Sequence, residues 1–384
     1  MISINKTRLG IGILFLLCGL NFATWATRIP DFKQILHLSD AALGTVLMGL
    51  PIGSLVSLPI AGLLIAKYNS KIICLVAVVL YTLIIPLIGF STNALQLFGC
   101  LFLFGMSGDI LNIAMNTQVV MLEKKMSKII MSSFHAIFSC GLMLGALLGG
   151  ILVSNNIEFR IHFFSISVVN LILIPAFYFY LLNDDKVKQP IINESKSSIF
   201  KLGSYLIILS FIAFCGMLCE GAMADWITLY FKENVNSDLL PNTIGFTSFA
   251  AAMVVGRLSG DYLSNKYKVK NILITNGLLI SIGMAVTLIM PQIFIKIVGC
   301  FIIGIGISTI VPLIYSKAGT QTKILPSIAI AGVSTIAYIG FLLGPVVIGY
   351  LSDLFSLQLA LVLLIVLGLV ASTIAKLFIP NSAK

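Results

Sequence analysis

NDDKVKQPIINESKSSIFK, residues 183–201, is the one long polar interruption in a chain of 384 residues that is 59% hydrophobic and only 10% charged. With seven charged residues and a proline, such a segment cannot lie in hydrocarbon. On both sides of it, from Leu9 to Phe378, apolar runs follow one another with short polar breaks. Each is long enough to cross a bilayer, which takes about 20 residues at ~1.5 Å rise per residue. About twelve such runs are present, so the polar stretch divides the chain into halves of about six. Lipid offers the backbone no hydrogen bonds, so the runs are expected to be helices. The ten-residue polar/apolar alternation of a membrane β-barrel is absent.

The halves are related. Trp25 and Gly44 stand 19 apart, as do Trp226 and Gly245, an offset of 201; AKYNSK (66–71) matches NKYKVK (265–270) at an offset of 199. The expected fold is therefore an all-α membrane protein, twelve transmembrane helices in two pseudo-symmetric six-helix bundles, 1–182 and 202–384, with 183–201 as a cytoplasmic linker. Tandem repeats of this kind are a transporter architecture, with the solute site expected near the midplane between them.

A net charge of +10 raises the prospect of nucleic-acid binding, and the placement of the basic residues excludes it. Eighteen of the 24 Lys and Arg, among them Lys6, Lys67, Lys124, Lys186, Lys268 and Lys376, fall on alternate loops on one side. Only Arg28, Lys33, Arg160 and Lys232 fall on the other, while Arg257 and Lys296 lie within spans. That asymmetry is the positive-inside rule: both termini are expected in the cytoplasm and the chain in the cytoplasmic (inner) membrane. The seven cysteines all lie in predicted spans and suggest no disulfide framework; Cys215 and Cys219, i and i+4, read as small packing residues. The basic N-terminus followed by an apolar run reads as an uncleaved first helix.

The residues also resemble the major facilitator superfamily. GLLIAKYNSK (62–71) is similar to that family's loop pattern of Gly, three residues, Asp-Arg, one residue, Gly, Arg-Lys. It keeps Gly62, Lys67 and Lys71 but has Ala66 for the Asp and Asn69 for the Gly. GRLSGDYLSNKYKVK (256–270) is the second-half copy, with Asn265 at the Asp position, and GFLLGPVVIGYLSD (340–353) looks like the family's glycine-proline eleventh helix. WATRIP (25–30), FHAIFSCG (134–141) and EGAMADW (220–226) are similar to a bacterial inner-membrane branch of the superfamily whose members are known as transporters without an assigned solute.

An ionisable side chain inside a span is a functional candidate by default, because an unpaired charge at the bilayer centre costs at least about 2.5–3.5 kcal/mol. The seventh predicted span holds Glu220 and Asp225, which stand about 140° apart around a helix. Glu220 falls nearer the midplane and is the first candidate for an acid that binds a proton or touches solute. Asp225, nearer the far end, reads as a gate or interface residue, with Arg28 at the equivalent end of the first span as its partner. In the fourth span, Asp109, Asn112 and Asn116 share one helix face at i, i+3, i+7. Asp109 rivals Glu220 for proton coupling, and the two amides are candidate solute contacts, against the plainer reading of helix–helix hydrogen bonding worth roughly 0.6 kcal/mol each. His135 suits either proton relay or packing; His37 and His162, in or beside loops, carry no signal. Arg257 is expected to snorkel or to pair with Asp261 at i+4, a gating pair. Trp25 and Trp226 read as aromatic-belt anchors, or as rings that stack on a sugar.

No phosphate-binding loop, zinc-protease motif or serine elbow is present, which argues against an enzyme and against ATP as the driving force. The expected activity is secondary active transport of a small polar, sugar-like solute by alternating access, coupled to protons. Efflux of amphiphilic compounds is the rival, and a ligand sensor that does not transport is the alternative of another class. The expected partners are solute, protons and lipid, with no cofactor, no metal, no nucleic acid and a monomeric chain.

Overall fold

A computed structural model of the chain describes residues 4–126, 130–183, 203–235, 240–319 and 326–380, apart from the side chains at 66, 132, 176, 261, 265, 319, 326–328, 330 and 331. Apart from Asn183, the linker predicted at 183–201 falls outside the described residues, as do Lys128, Lys323 and Lys384. The regular elements among the described residues are all helices, with no strand. Among these residues ten helices are long and apolar enough to cross a membrane, and Phe159–Pro175 and Ile244–Gly260 are two shorter apolar ones, in keeping with the about twelve spans read from sequence.

The chain divides into two compact units, Met1–Ile192 with Asp238–Thr243, and Asn193–Ser237 with Ile244–Lys384. The first holds α1 (Ile4–Ala26), α2 (Ile29–Ile35), α3 (Asp40–Leu47), α4 (Gly49–Tyr68), α5 (Ser70–Ile88), α6 (Ala94–Met126), α7 (Met131–Ser154) and α8 (Phe159–Tyr178). The second holds α9 (Ser204–Tyr230), a π-turn over Phe231–Val235, α10 (Ile244–Lys266), α11 (Val269–Ile289), α12 (Ile293–Ser308), α13 (Ile310–Gly319), α14 (Pro326–Leu354), α15 (Leu357–Ala360) and α16 (Val362–Phe378).

Lipid tails are as apolar as leucine, so helices in a membrane associate through close packing and a few hydrogen bonds, not through burial of greasy surface. Glycine supplies the closeness. A Cβ added at Gly53 of α4 would collide with the carbonyl oxygen of Phe102 on α6, and one at Gly105 with that of Leu50. This crossing sets Ser57 of α4 beside the middle of the 33-residue α6. Asn69, where the family pattern has glycine, adopts φ 72° between α4 and α5. With ψ at 156° this lies outside the left-handed helical region and in one that glycine adopts far more easily; the asparagine side chain accepts from Ile72 N at 3.0 Å to start α5.

Candidate functional site

Asp109 stands at the middle of α6 and is buried, 8% exposed. Its Oδ2 lies 2.7 Å from Ser57 Oγ, Asn112 donates to it from one turn on, and Asn116 Nδ2 continues the row to Asn112 Oδ1 at 3.0 Å. The polar face predicted from i, i+3, i+7 is thus one hydrogen-bonded string. Ser57 Oγ is also 2.7 Å from the carbonyl oxygen of Ser54. A hydroxyl has a single proton, so it can serve only one of these two acceptors. Both contacts are satisfied together only if Asp109 brings a proton of its own. Among the described residues no cation touches Asp109, and an isolated buried carboxylate is costly enough to favour its neutral form. At the end of the row, Asn116 Oδ1 is buried with no partner among the described residues.

Glu220 lies in the second unit on α9. Arg257, for which the sequence offers Asp261 at i+4, reaches Glu220 Oε1 through Nη2 at 3.3 Å, 37 residues away. Two helices crossing in three dimensions bring together a pair that i, i+4 arithmetic cannot see. The pair keeps some exposure, 15% for the arginine side chain and 22% for the glutamate. Tyr315 of α13 lies within the electrostatic reach of Glu220, and its hydroxyl hydrogen-bonds with Ser334 of α14.

The far ends of α1 and α9 differ from expectation. Trp25 and Trp226 are 1% and 0% exposed, so neither stands in an aromatic belt. Trp25 packs on Phe32 of α2 at 5.3 Å between ring centroids, because the chain turns back at Thr27-Arg28 and lays α2 over the indole. Arg28 is itself buried and committed to three acceptors in its own unit: Asp31 Oδ2 at 3.0 Å, His162 Nδ1 at 3.2 Å and the carbonyl oxygen of Ile157 at 2.9 Å. Asp225 is buried and has no hydrogen-bond or ion-pair partner among the described residues; Trp226 Nε1 and Thr228 Oγ1 beside it are likewise buried and unpartnered.

Sequence reading passed over several groups. His162 was set aside as a loop residue, but it is buried within α8 against Arg28. Asn21, Thr82, Asn170 and Ser167 form a buried cluster across α1, α5 and α8: Asn170 Nδ2 donates to Asn21 Oδ1, Asn21 Nδ2 to Thr82 Oγ1 at 3.4 Å, and Ser167 Oγ to the carbonyl oxygen of Thr82 at 2.9 Å. Lys296 is buried and donates to Tyr230 Oη at 3.0 Å and to the carbonyl oxygen of Thr287 at 2.8 Å, where a cation suits the C-terminal turn of α11. The signal available for these was a polar residue in an apolar span, which names a candidate and no partner. His135 of α7 meets the ring of Phe15 edge-on at 5.6 Å. No cluster of three or more His, Cys, Asp or Glu suited to a metal occurs among the described residues.

Comparison with known proteins adds the wider frame. The sequence profile of the Major Facilitator Superfamily matches residues 11–323. An uncharacterised MFS-type transporter of Yersinia pestis is 31% identical over 350 residues, 91% of this chain and 89% of that protein. The membrane protein MosC of Rhizobium meliloti is 28% identical over 371 residues, 96% of this chain and 89% of its own length. Among solved structures, a mutant of the nucleoside transporter NupG superposes with a TM-score of 0.80 at 14% identity, over 97% of this chain and 100% of that one. A bacterial homologue of the human lysosomal transporter Spinster superposes at 0.75 and 14% identity, over 96% and 95%. At such identities the likeness is one of fold.

Proposed function

This chain belongs to the major facilitator superfamily, and from that premise we propose that it is a proton-coupled secondary active transporter of a small polar, sugar-like solute, working by alternating access in the cytoplasmic membrane with both termini inside. The observation that carries the coupling is Asp109, buried in mid-helix with only neutral hydrogen-bond partners among the described residues. Such a carboxyl gains a proton without stranding a counter-ion, and the charge change alters which conformation is favoured. Asn112 and Asn116 continue from it, and the unpartnered Asn116 Oδ1 is an acceptor for a solute hydroxyl.

Glu220 is the second coupling acid. Its proton would weaken the ion pair with Arg257, so the pair acts as a charge lock that a proton loosens. Arg28, Asp225 and Asp261 are proposed as gate residues and His135 as a relay. The indole of Trp226, with its free Nε1, is the better solute contact of the two tryptophans, since Trp25 is covered by Phe32. No enzymatic step is proposed.

The test is pH-gradient-driven uptake into proteoliposomes from a panel of sugars, nucleosides, organic acids and lipophilic cations, the nucleosides included for the NupG likeness. Wild type is compared with Asp109→Asn and Glu220→Gln. The expected result is gradient-driven accumulation of one polar class, with Asp109→Asn retaining solute exchange and losing accumulation. Accumulation by both variants at the wild-type level would make these carboxyls structural, and export of lipophilic cations alone would replace the polar-solute reading by efflux.

A further inference from the structure

We propose that His162 is a proton-binding site that locks the far end of α1 onto α8 while unprotonated and releases it when a proton arrives. The argument is a count of hydrogens. Arg28 Nε donates to His162 Nδ1 at 3.2 Å; a guanidinium is a donor only, so Nδ1 must present its lone pair and the ring proton sits on Nε2. That Nε2 is buried with no partner among the described residues, and the residue is 1% exposed. A second proton has one place to go, Nδ1. There it destroys the bond to Arg28 and sets two cations against each other.

What the bond holds is a corner. Arg28 ties the α1–α2 turn to the carbonyl of Ile157 in the α7–α8 turn and to α8 itself. Phe32 of α2 is meanwhile caged by Trp25, Phe159 and Phe163 at 5.3, 5.1 and 6.2 Å. All of this lies on the face opposite the Lys-rich loops. The charged groups around the imidazole do not substitute for the switch. Asp31 is already paired with Arg28, and Arg160 with Glu158 in a half-exposed pair. Lys33 pairs with Asp40. From α5, the side facing α8 supplies the carbonyls of Thr82 and Gly89, while its Tyr81 stacks on Phe104 of α6 and Lys71 stands at its other end. On α1, Cys18, Arg8 and Lys6 lie toward the opposite end, and on α7, Cys140 and His135 stand well before its close at Ser154.

Because the closed corner cannot take the proton and the open one can, acid favours the open form by up to about tenfold per pH unit for one coupled proton. The proposal rests on the proton-driven reading for its use in transport, though the site itself can be tested without any solute. Hydrogen–deuterium exchange of the full chain in nanodiscs, corrected for intrinsic rates, would be followed over residues 25–36 and 155–163 at about pH 8 and about pH 5, either side of the ordinary imidazole titration near 6.5. Wild type is expected to lose protection in both segments at the lower pH. His162→Gln, whose amide oxygen still accepts from Arg28 and cannot titrate, is expected to stay protected at both; His162→Phe is expected to be open at both. The same pH step in wild type and His162→Gln, or no step in wild type, would overturn the proposal. Should the variants fail to fold, nitrogen NMR of wild type labelled at its three histidines decides. One imidazole must hold the Nε2–H form at the higher pH with Nδ1 hydrogen-bonded, and three freely titrating rings would refute it. A corner that titrates in a protein without proton-driven flux leaves this site standing and sinks the transport reading; proton-driven flux with an inert corner does the reverse.

Discussion

Asp109 and Glu220 are both carboxyls set in apolar spans, one in each half, and their surroundings differ in kind. Asp109 has a hydroxyl and an amide for company; Glu220 has a guanidinium. Neutral donors tolerate either charge state of their carboxyl, so a proton on Asp109 disturbs one hydrogen bond. A proton on Glu220 cancels the negative half of its ion pair with Arg257, an electrostatic loss that Asp109 does not face. Protonation thus costs Glu220 an ion pair and costs Asp109 none, a difference that is not visible in the letters D and E.

The sharpest way to break this contrast is Arg257→Leu. It strands Glu220, and we expect an apparent destabilisation of roughly 3 kcal/mol in thermal unfolding of the detergent-purified protein, at the low edge of the buried-pair range because both partners keep some exposure. Combining it with Glu220→Gln removes the stranded charge and should recover most of the loss; no recovery would mean the arginine acts through packing. Gly53→Val comes next. A branched side chain at the closest approach of α4 to α6 forces the helices apart, costs about 1–3 kcal/mol and draws Ser57 away from Asp109, so a Ser57→Ala change made on top of it should cost little more.

Ser57→Ala alone sharpens the Asp109 side of the comparison. A hydrogen bond to an ionised carboxylate is worth about 1.5–3 kcal/mol and one to a neutral acid about 1; a loss near the smaller figure would agree with a protonated Asp109, and a loss near the larger would favour the anion. Asp225→Asn should have the smallest cost: it replaces a buried carboxyl with no described partner by a neutral amide, so no loss of stability is expected, and a gain wherever the acid is charged. A large loss there would reveal a counter-ion, and Asp225 would then join Glu220 as a paired acid.

The α6 string was legible in advance because its three residues lie on one helix, where spacing converts directly into geometry. The Glu220–Arg257 pair was not, nor was His162 on Arg28: their partners lie 37 and 134 residues apart. The aromatic-belt reading of Trp25 missed its burial for a related reason. Position near a span's end suits a belt, and only the fold of α2 over Trp25 shows the ring to be covered.

The sequence by itself determined the helical character of the described residues, the membrane spans and the superfamily. A bilayer leaves a chain few options, and it enforces them one segment at a time, as runs of apolar residues broken by polar loops. Tertiary structure alone decided which acid has a cation, which has only neutral donors and which histidine nitrogen bears the proton. Those properties depend on how helices distant in sequence cross, and hydrogen bonds form only at distances of about 3 Å.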